Sequence, residues 1–365
     1  MTQRAVITGW GKCLPPTKLT NHDLEELCET SDEWIFERTG IRERRISHVE
    51  ATDLAEIAAR RALACAGTKA EDLDLIIVAT CTPETLVPST AASLEKRLGA
   101  GNAAAFDLNA ACSGFVYATS VVAALVESGF AERVLVVGSE KIRYVLDYRD
   151  RSTCIIFGDG AGAAIFEASD SGAGVLSTDM GADGESGKTM VFESCGTKGD
   201  PSSITDPSQA GLHFEGQAVY KMAVTGMAAS ATRAIEKAGI DISDVKLVIP
   251  HQANARIIQA AGRRLKLNDE QLFLNIESHG NTAAASIPMA ISDAMESKKI
   301  SSGDIVILTS FGGGITWGST VLRWGERTAP AKISDAQLPP TQKTLLDILQ
   351  PNLDFFNQYQ PTTHN

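Results

Sequence analysis

Two stretches of this chain echo one another, and that echo restricts the folds open to it. Residues 62–80, ALACAGTKAEDLDLIIVAT, resemble residues 231–249, ATRAIEKAGIDISDVKLVI. Each reads as the end of an amphipathic helix, a stop at glycine, an acidic turn and a short buried strand. The echo continues downstream. Residues 118–140 run from a helix into ERVLVVGSE, and residues 287–310 run from a helix into GDIVILTS. A small-residue loop precedes each of these second helices, NAACSGF in one copy and SHGNTAAAS in the other. Duplicated strand–helix–strand units predict two related α/β halves, each with a central sheet, sharing helices in a layered body. The expected division is 1–170 and 171–325, with the change of half in the glycine-rich, polar stretch at 170–215. Residues 326–365 read as an appendage: a polar, proline-bearing segment, then TLLDILQPNLDFF, which has the pattern of one short amphipathic helix. In DLAEIAARRALACAG, Asp53 with Glu56 three residues on is a capping-box-like start for the first long helix.

The 365 residues carry a formal charge of −12, which excludes a general nucleic-acid or anionic-membrane surface but leaves room for a local basic spot. The opening MTQRAVITGWG reads directly into a strand rather than a secretory signal, and no apolar run is long enough to span a bilayer. Seven cysteines without CxxC spacing fit reduced thiols in a cytoplasmic enzyme, and no metal-ligand cluster is visible. The 31 glycines gather beside short apolar runs, as expected for tight loops at strand ends.

Cys112 stands between a predicted strand and a predicted helix. There the unpaired N–H groups and dipole of the helix N-terminus favour a thiolate, and small neighbours leave N–H groups free as an oxyanion hole. A cysteine in an apolar run is more often a core residue, so Cys112 alone proves little. His251 changes the balance, because it follows the strand VKLVI at its C-terminal end, where sites gather in α/β sheets. Asn281 lies in the loop that repeats the Cys112 loop. In a duplicated fold, equivalent loops meet near the pseudo-twofold axis, so the three side chains are expected to converge. Cys13, Cys28, Cys65, Cys81, Cys154 and Cys195 take a structural reading.

NAACSGF, HQANARI, HGNTAAASIP and SFGGGITWGS, with TSDEWIFERTGIRERR and RSTCIIFGDGAG, occur in order up to about Trp324. Together they resemble the motifs of β-ketoacyl-acyl-carrier-protein synthase III in the thiolase superfamily. The resemblance implies a duplicated five-layered αβαβα thiolase-like fold, a homodimer and a catalytic set of Cys112, His251 and Asn281. It implies an acyl-CoA that acylates Cys112, and malonyl-acyl-carrier protein as acceptor in a decarboxylative condensation that initiates fatty acid biosynthesis, with no further cofactor. The oxyanion hole would be the N–H groups of Cys112 and Gly314. CoA would meet Thr30, Trp34, Arg151, Gly216 and Asn254, with the adenine between Trp34 and Arg151. The acyl channel would involve Val87 and Phe157. An acidic carrier protein would dock on Arg256, with Lys221 and Arg263 as helpers and Arg264 and Lys266 nearby.

Two departures bear on substrate. Val87 stands where familiar members often carry a bulky aromatic that closes the acyl channel from the partner subunit, which points to a longer pocket and a medium-chain acyl-CoA. The tail from residue 326 has no counterpart in the compact members. Three alternatives remain: a relative in secondary metabolism with a different acceptor, an acyl-CoA- or carrier-binding protein without catalysis, and a cysteine hydrolase. The presence of both His251 and Asn281 favours condensation, because an enolate oxygen needs two neutral donors.

Overall fold

The computed structural model describes residues 3–192, 196 and 211–357, so Cys195 lies outside the described residues. Its two main sheets carry the duplication strand by strand. The first has the order Arg4–Cys13, Gly160–Ser169, Arg133–Glu140, Leu75–Ala79, Ala104–Leu108; the second has Gly174–Ala182, Thr316–Arg323, Ile305–Gly312, Val245–Pro250. Pairing sense matches along both series: antiparallel, antiparallel, then parallel. The fifth strand of the first sheet is reduced in the second to a single parallel bridge between Val248 and Leu272.

The repeated segments fold as their patterns dictate. Helix Ala51–Ala66 ends at Gly67 with φ 74°, and helix Gly216–Ala238 ends at Gly239 with φ 67°. Both stops use left-handed backbone that glycine adopts without strain. A one-turn 3₁₀ helix follows each, Ala70–Asp72 and Ile242–Asp244, and leads into the parallel strand. The capping box of the first helix lies three residues upstream of the expected pair. Glu50 is the N-cap, and its N–H donates to the Asp53 carboxylate at 2.9 Å. Asp53 therefore closes the box rather than opening it, because helical geometry is already established at Ala51.

Helices Gly114–Glu127 and Ser286–Glu296 pack between the two sheets, Ala51–Ala66 covers the outer face of the first, and Gly216–Ala238 covers the outer face of the second. The result is five layers, αβαβα. The central pair is buried except near the C-terminal ends, where Ala124, Glu127 and Glu296 reach solvent. Helix Ser286–Glu296 buries nine of its eleven residues, including Ile287, Ile291 and Met295. Such close approach depends on absent side chains. A Cβ on Gly138 would lie 2.3 Å from the carbonyl oxygen of Ala284, so only glycine lets the first sheet meet the second half there. An ion-pair hub fastens the same layer: Asp293 of the central helix bonds Lys12 of the first strand, His279 at 2.9 Å and Asn275 at 2.6 Å. Those partners hold the Asp293 carboxyl down at about 2 despite its burial.

Candidate active site

The two small-residue loops preceding the central helices have the same construction. Asn109 Oδ1 accepts from Ala111 N–H at 3.1 Å, and Asn281 Oδ1 accepts from Ala283 N–H at 2.8 Å. Ala111 and Ala283 both adopt positive φ, 47° and 44°, which is costly for an alanine and sharpens each turn into the helix. The repeat thus pairs Asn109 with Asn281, and Cys112 with Ala284. Only one copy keeps a thiol at the helix start, and the matching asparagine of the other copy faces the site.

Cys112 is 7% exposed and stands where two cavities meet. One, of about 870 Å³, is lined by Cys81, Leu86, Ile142, Tyr144, Leu212 and Gly314. The other, of about 670 Å³, is lined by Trp34, Arg151, Gly216, Asn254, His251 and Asn281, with Lys221 and Arg256 also on its wall. Phe157 and Met190 border both. Sequence motifs far apart in the chain thus converge on the second cavity around Cys112.

His251 follows strand Val245–Pro250 and is fixed by its N–H, which donates to Thr309 O at 2.8 Å. Its Nδ1 lies 2.6 Å from the Ser286 hydroxyl. That hydroxyl also accepts from the Gln252 N–H at 3.3 Å; with its own hydrogen directed to Nδ1, the ring proton resides on Nε2, the tautomer adopted in the mechanism proposed below. Burial pushes the His251 pKa down to about 3, so the imidazole is neutral. In Asn281, the bond from Ala283 N–H to Oδ1 leaves the NH₂ end as the donor for the cavity. The backbone of Asn281 exchanges bonds with Ile156 O and Gly158 N–H, both at 2.9 Å, tying its loop to the RSTCIIFGDGAG motif.

The thiol itself differs from the sequence expectation. Burial, reinforced by the carboxyl of Glu140, pushes Cys112 up to about 12. The resting group is therefore a thiol, because loss of solvation outweighs the helix N-terminus, which acts only on charge that has already begun to develop. Glu140 is a functional neighbour that sequence reasoning missed. It is fully buried, raised to about 7 by burial, and accepts from Thr82 Oγ1 at 2.6 Å and Cys81 N at 3.2 Å. Its position as the charged last residue of the strand RVLVVGSE was the available signal. Gly312 is another: a Cβ there would meet the Cys112 nitrogen at 2.8 Å and that of Ser113 at 2.9 Å.

At the outer end of the second cavity, the Arg151 guanidinium lies 5.0 Å from the Trp34 ring centroid and donates to Glu29 O at 2.8 Å. Thr30 follows Glu29 but does not line the cavity, and its hydroxyl is buried without a hydrogen-bond partner, so the structure does not bring it to the site with Trp34 and Arg151. Asn254 caps helix Ala255–Arg264 and donates to Arg38 O at 3.0 Å, so it fixes the cavity wall as well as lining it. Arg263 is exposed at the far end of that helix, two turns from Arg256 and off the cavity wall, and Arg264 and Lys266 are exposed beside it. Val87 is 88% exposed and does not line the first cavity of its own chain; its neighbour Leu86 does.

Comparison with known proteins identifies relatives. Residues 106–184 match the family model described as 3-oxoacyl-[acyl-carrier-protein] synthase III, and residues 235–324 match the C-terminal model of the same family. The chain is 43% identical to the β-ketoacyl-[acyl-carrier-protein] synthase III 2 of Vibrio cholerae, over 99% of each chain. It is 47% identical to the β-ketoacyl-[acyl-carrier-protein] synthase III of Roseiflexus castenholzii, over 89% of this chain and 99% of that one. Among solved structures, the 3-oxoacyl-[acyl-carrier-protein] synthase III of Aquifex aeolicus superposes with a TM-score of 0.83 at 43% identity, covering 88% of this chain and 100% of the other.

Proposed function

Given that the chain belongs to the 3-oxoacyl-[acyl-carrier-protein] synthase III family, condensing acyltransferases of fatty acid synthesis, we propose that it works by two half-reactions on Cys112. The observation that carries this reading is the placement of Cys112 at the junction of two cavities, one holding His251 and Asn281.

In the first half-reaction an acyl-CoA lies along the second cavity, its adenine at the Trp34–Arg151 end and its acyl chain in the first. Those two side chains, 5.0 Å apart and in contact with each other, must separate to admit a base between them. The Cys112 sulfur attacks the thioester carbonyl, and the tetrahedral oxyanion takes hydrogen bonds from the N–H groups of Cys112 and Gly314. The carbon–sulfur bond to CoA breaks. The proton that left Cys112 goes to the CoA sulfur, so the step yields an acyl-enzyme and neutral CoA thiol. Helix Gly114–Glu127 offers its N-terminus to the negative charge that develops on sulfur in the transition state.

In the second half-reaction a malonyl thioester on an acyl-carrier protein occupies the vacated cavity. Loss of carbon dioxide leaves an enolate whose oxygen accepts from His251 Nε2–H and Asn281 NH₂. A neutral histidine suits this role, since it donates without giving up its proton. The enolate carbon attacks the acyl carbonyl, the new carbon–carbon bond forms, and the Cys112–acyl bond breaks. The thiolate released is reprotonated from solvent. Atoms and charges balance with these two substrates alone. Arg256 and Lys221, exposed on the cavity wall, are the cations we assign to the acidic carrier, with Arg263 further along the same helix.

The small, exposed Val87 and the 870 Å³ first cavity support a medium-chain acyl donor. Strand Ala104–Leu108 closes the first sheet with an open edge and a 40% exposed Phe106, and Leu86 and Val87 project from the loop Cys81–Pro88. An unpaired edge of this kind supports a homodimer. No described helix is long and apolar enough to cross a membrane, and we assign the protein to the cytoplasm.

The test is intact-protein mass spectrometry after mixing with acetyl-, butyryl-, octanoyl- and decanoyl-CoA. The expected result is an acyl adduct that is absent in Cys112→Ala and disappears when malonyl-carrier protein is added, with a β-ketoacyl-carrier product. No adduct with any chain would refute the two-step reading, and a clear preference for acetyl-CoA would refute the medium-chain donor.

A further inference from the structure

Both family matches stop by residue 324, yet the chain beyond is bound closely to the body. Residues 328–344 run as a strap along the first long helix. The Ala331 N–H donates to Cys65 O at 2.9 Å and the Lys332 N–H to Ala64 O at 3.1 Å, satisfying carbonyls at that helix's C-terminus. Arg61 donates to Ala336 O at 2.9 Å, and His48 Nε2 lies 2.8 Å from Pro339 O. Thr344 and Asp347 then form a reciprocal cap, and helix Leu345–Asn357 begins.

That helix buries Ile348, Leu349, Asn352 and Phe356. Ile348 and Leu349 belong to the same apolar cluster as Cys112, Ile142, Val145, Phe157 and Leu212. Among the described residues, its hydrogen bonds to the body centre on Arg143. Asn352 Nδ2 donates to Arg143 O at 2.8 Å, while Arg143 Nη1 donates to Asn352 Oδ1 at 3.1 Å and to Ile348 O at 3.2 Å. Arg143 sits in the turn Ile142–Val145, whose Ile142 and Tyr144 are walls of the first cavity. The front of that turn faces the acyl space, and the C-terminal helix grips its back.

We propose that the C-terminal extension is a specificity-determining element of the acyl pocket: by holding the turn Ile142–Val145 from behind, it keeps the first cavity open for longer acyl chains. The apolar part of this cavity, walled by Leu86, Ile142, Phe157 and Leu212, tends to close when a wall can move inward, since closure removes apolar surface from water. The paired hydrogen bonds of Asn352 oppose that movement with a direction that apolar packing alone lacks. The inference rests on the two-step reading and on the acyl chain occupying the first cavity.

The experiment compares the full chain, a version ending at Pro340 and the full-length Asn352→Ala variant. The readout is the ratio of kcat/KM for the longest acyl-CoA that the full chain accepts to kcat/KM for acetyl-CoA. A ratio is insensitive to the fraction of protein that folds, so simple destabilisation does not move it. The expected result is a fall of at least about tenfold in the shortened chain and a smaller fall in the same direction for Asn352→Ala. A ratio that stays or rises in both overturns the proposal. Acylation of Cys112 in the full chain is scored separately by mass, so failure of the two-step reading would show as absence of any adduct.

Discussion

The Ser286 hydroxyl, at the start of the second central helix, is held 2.6 Å from Nδ1 of His251. In the proposed mechanism its role is to fix the Nε2–H tautomer and so position the His251 donor without touching substrate. In Ser286→Ala the condensation rate with malonyl-carrier protein is expected to fall roughly tenfold to a hundredfold, the usual penalty for losing a partner that orients a catalytic imidazole. Acylation of Cys112 by acyl-CoA, read as the rate of the mass shift, is expected to stay within about twofold. Equal loss in both steps would contradict the assignment.

Because burial lowers His251 to about 3, the imidazole is expected to remain neutral across the working range. Nitrogen-15 NMR of the histidine side chains should show one ring as the Nε2–H tautomer from pH 5.5 to 8, with that signal missing in His251→Asn. A ring titrating near 6.5 that is absent from that variant would refute it. The sign for stability follows. An unfolded chain takes up a proton below about 6.5 that the folded site refuses, so His251 lowers stability as pH falls through that value.

Glu140 works in the opposite direction. Its folded value of about 7 lies above the ordinary carboxylate value, so between those limits the folded state holds a proton that the unfolded chain has lost. Stability is therefore expected to decline as pH rises from 5 to 8, by roughly 3 kcal/mol at most from this residue. Asp159, raised to about 6 by burial, adds to the slope. Urea unfolding at several pH values should show a shallower decline for Glu140→Gln than for the unaltered protein. An unchanged slope would remove Glu140 as its source.

Gly312 lies against the amides of Cys112 and Ser113, and its missing Cβ leaves them their space. Gly312→Ala is expected to lower the rate of Cys112 acylation by on the order of 10²–10³-fold, as when an oxyanion donor is displaced. The accompanying loss of stability should be about 1–3 kcal/mol, measurable by denaturant unfolding. Full activity would mean that the loop containing Gly312 is free to move away.

The duplicated pattern by itself determined most of the architecture, since the helix stops at Gly67 and Gly239 and the buried strands after them are local consequences of sequence. It also singled out Cys112, His251 and Asn281, because residues that end buried strands or begin small-residue turns can be recognised one at a time. Tertiary structure decided what those residues are. Cys112 and His251 face one cavity only because two sheets pack on shared central helices, and no local pattern encodes that distance. Their protonation was likewise invisible: the sequence expectation of a favoured thiolate gave way to a buried thiol, since desolvation depends on everything packed around the sulfur. The tail showed its amphipathic helix in sequence, but its grip on Arg143 depends on a contact between residues about two hundred positions apart, which only the folded chain brings together.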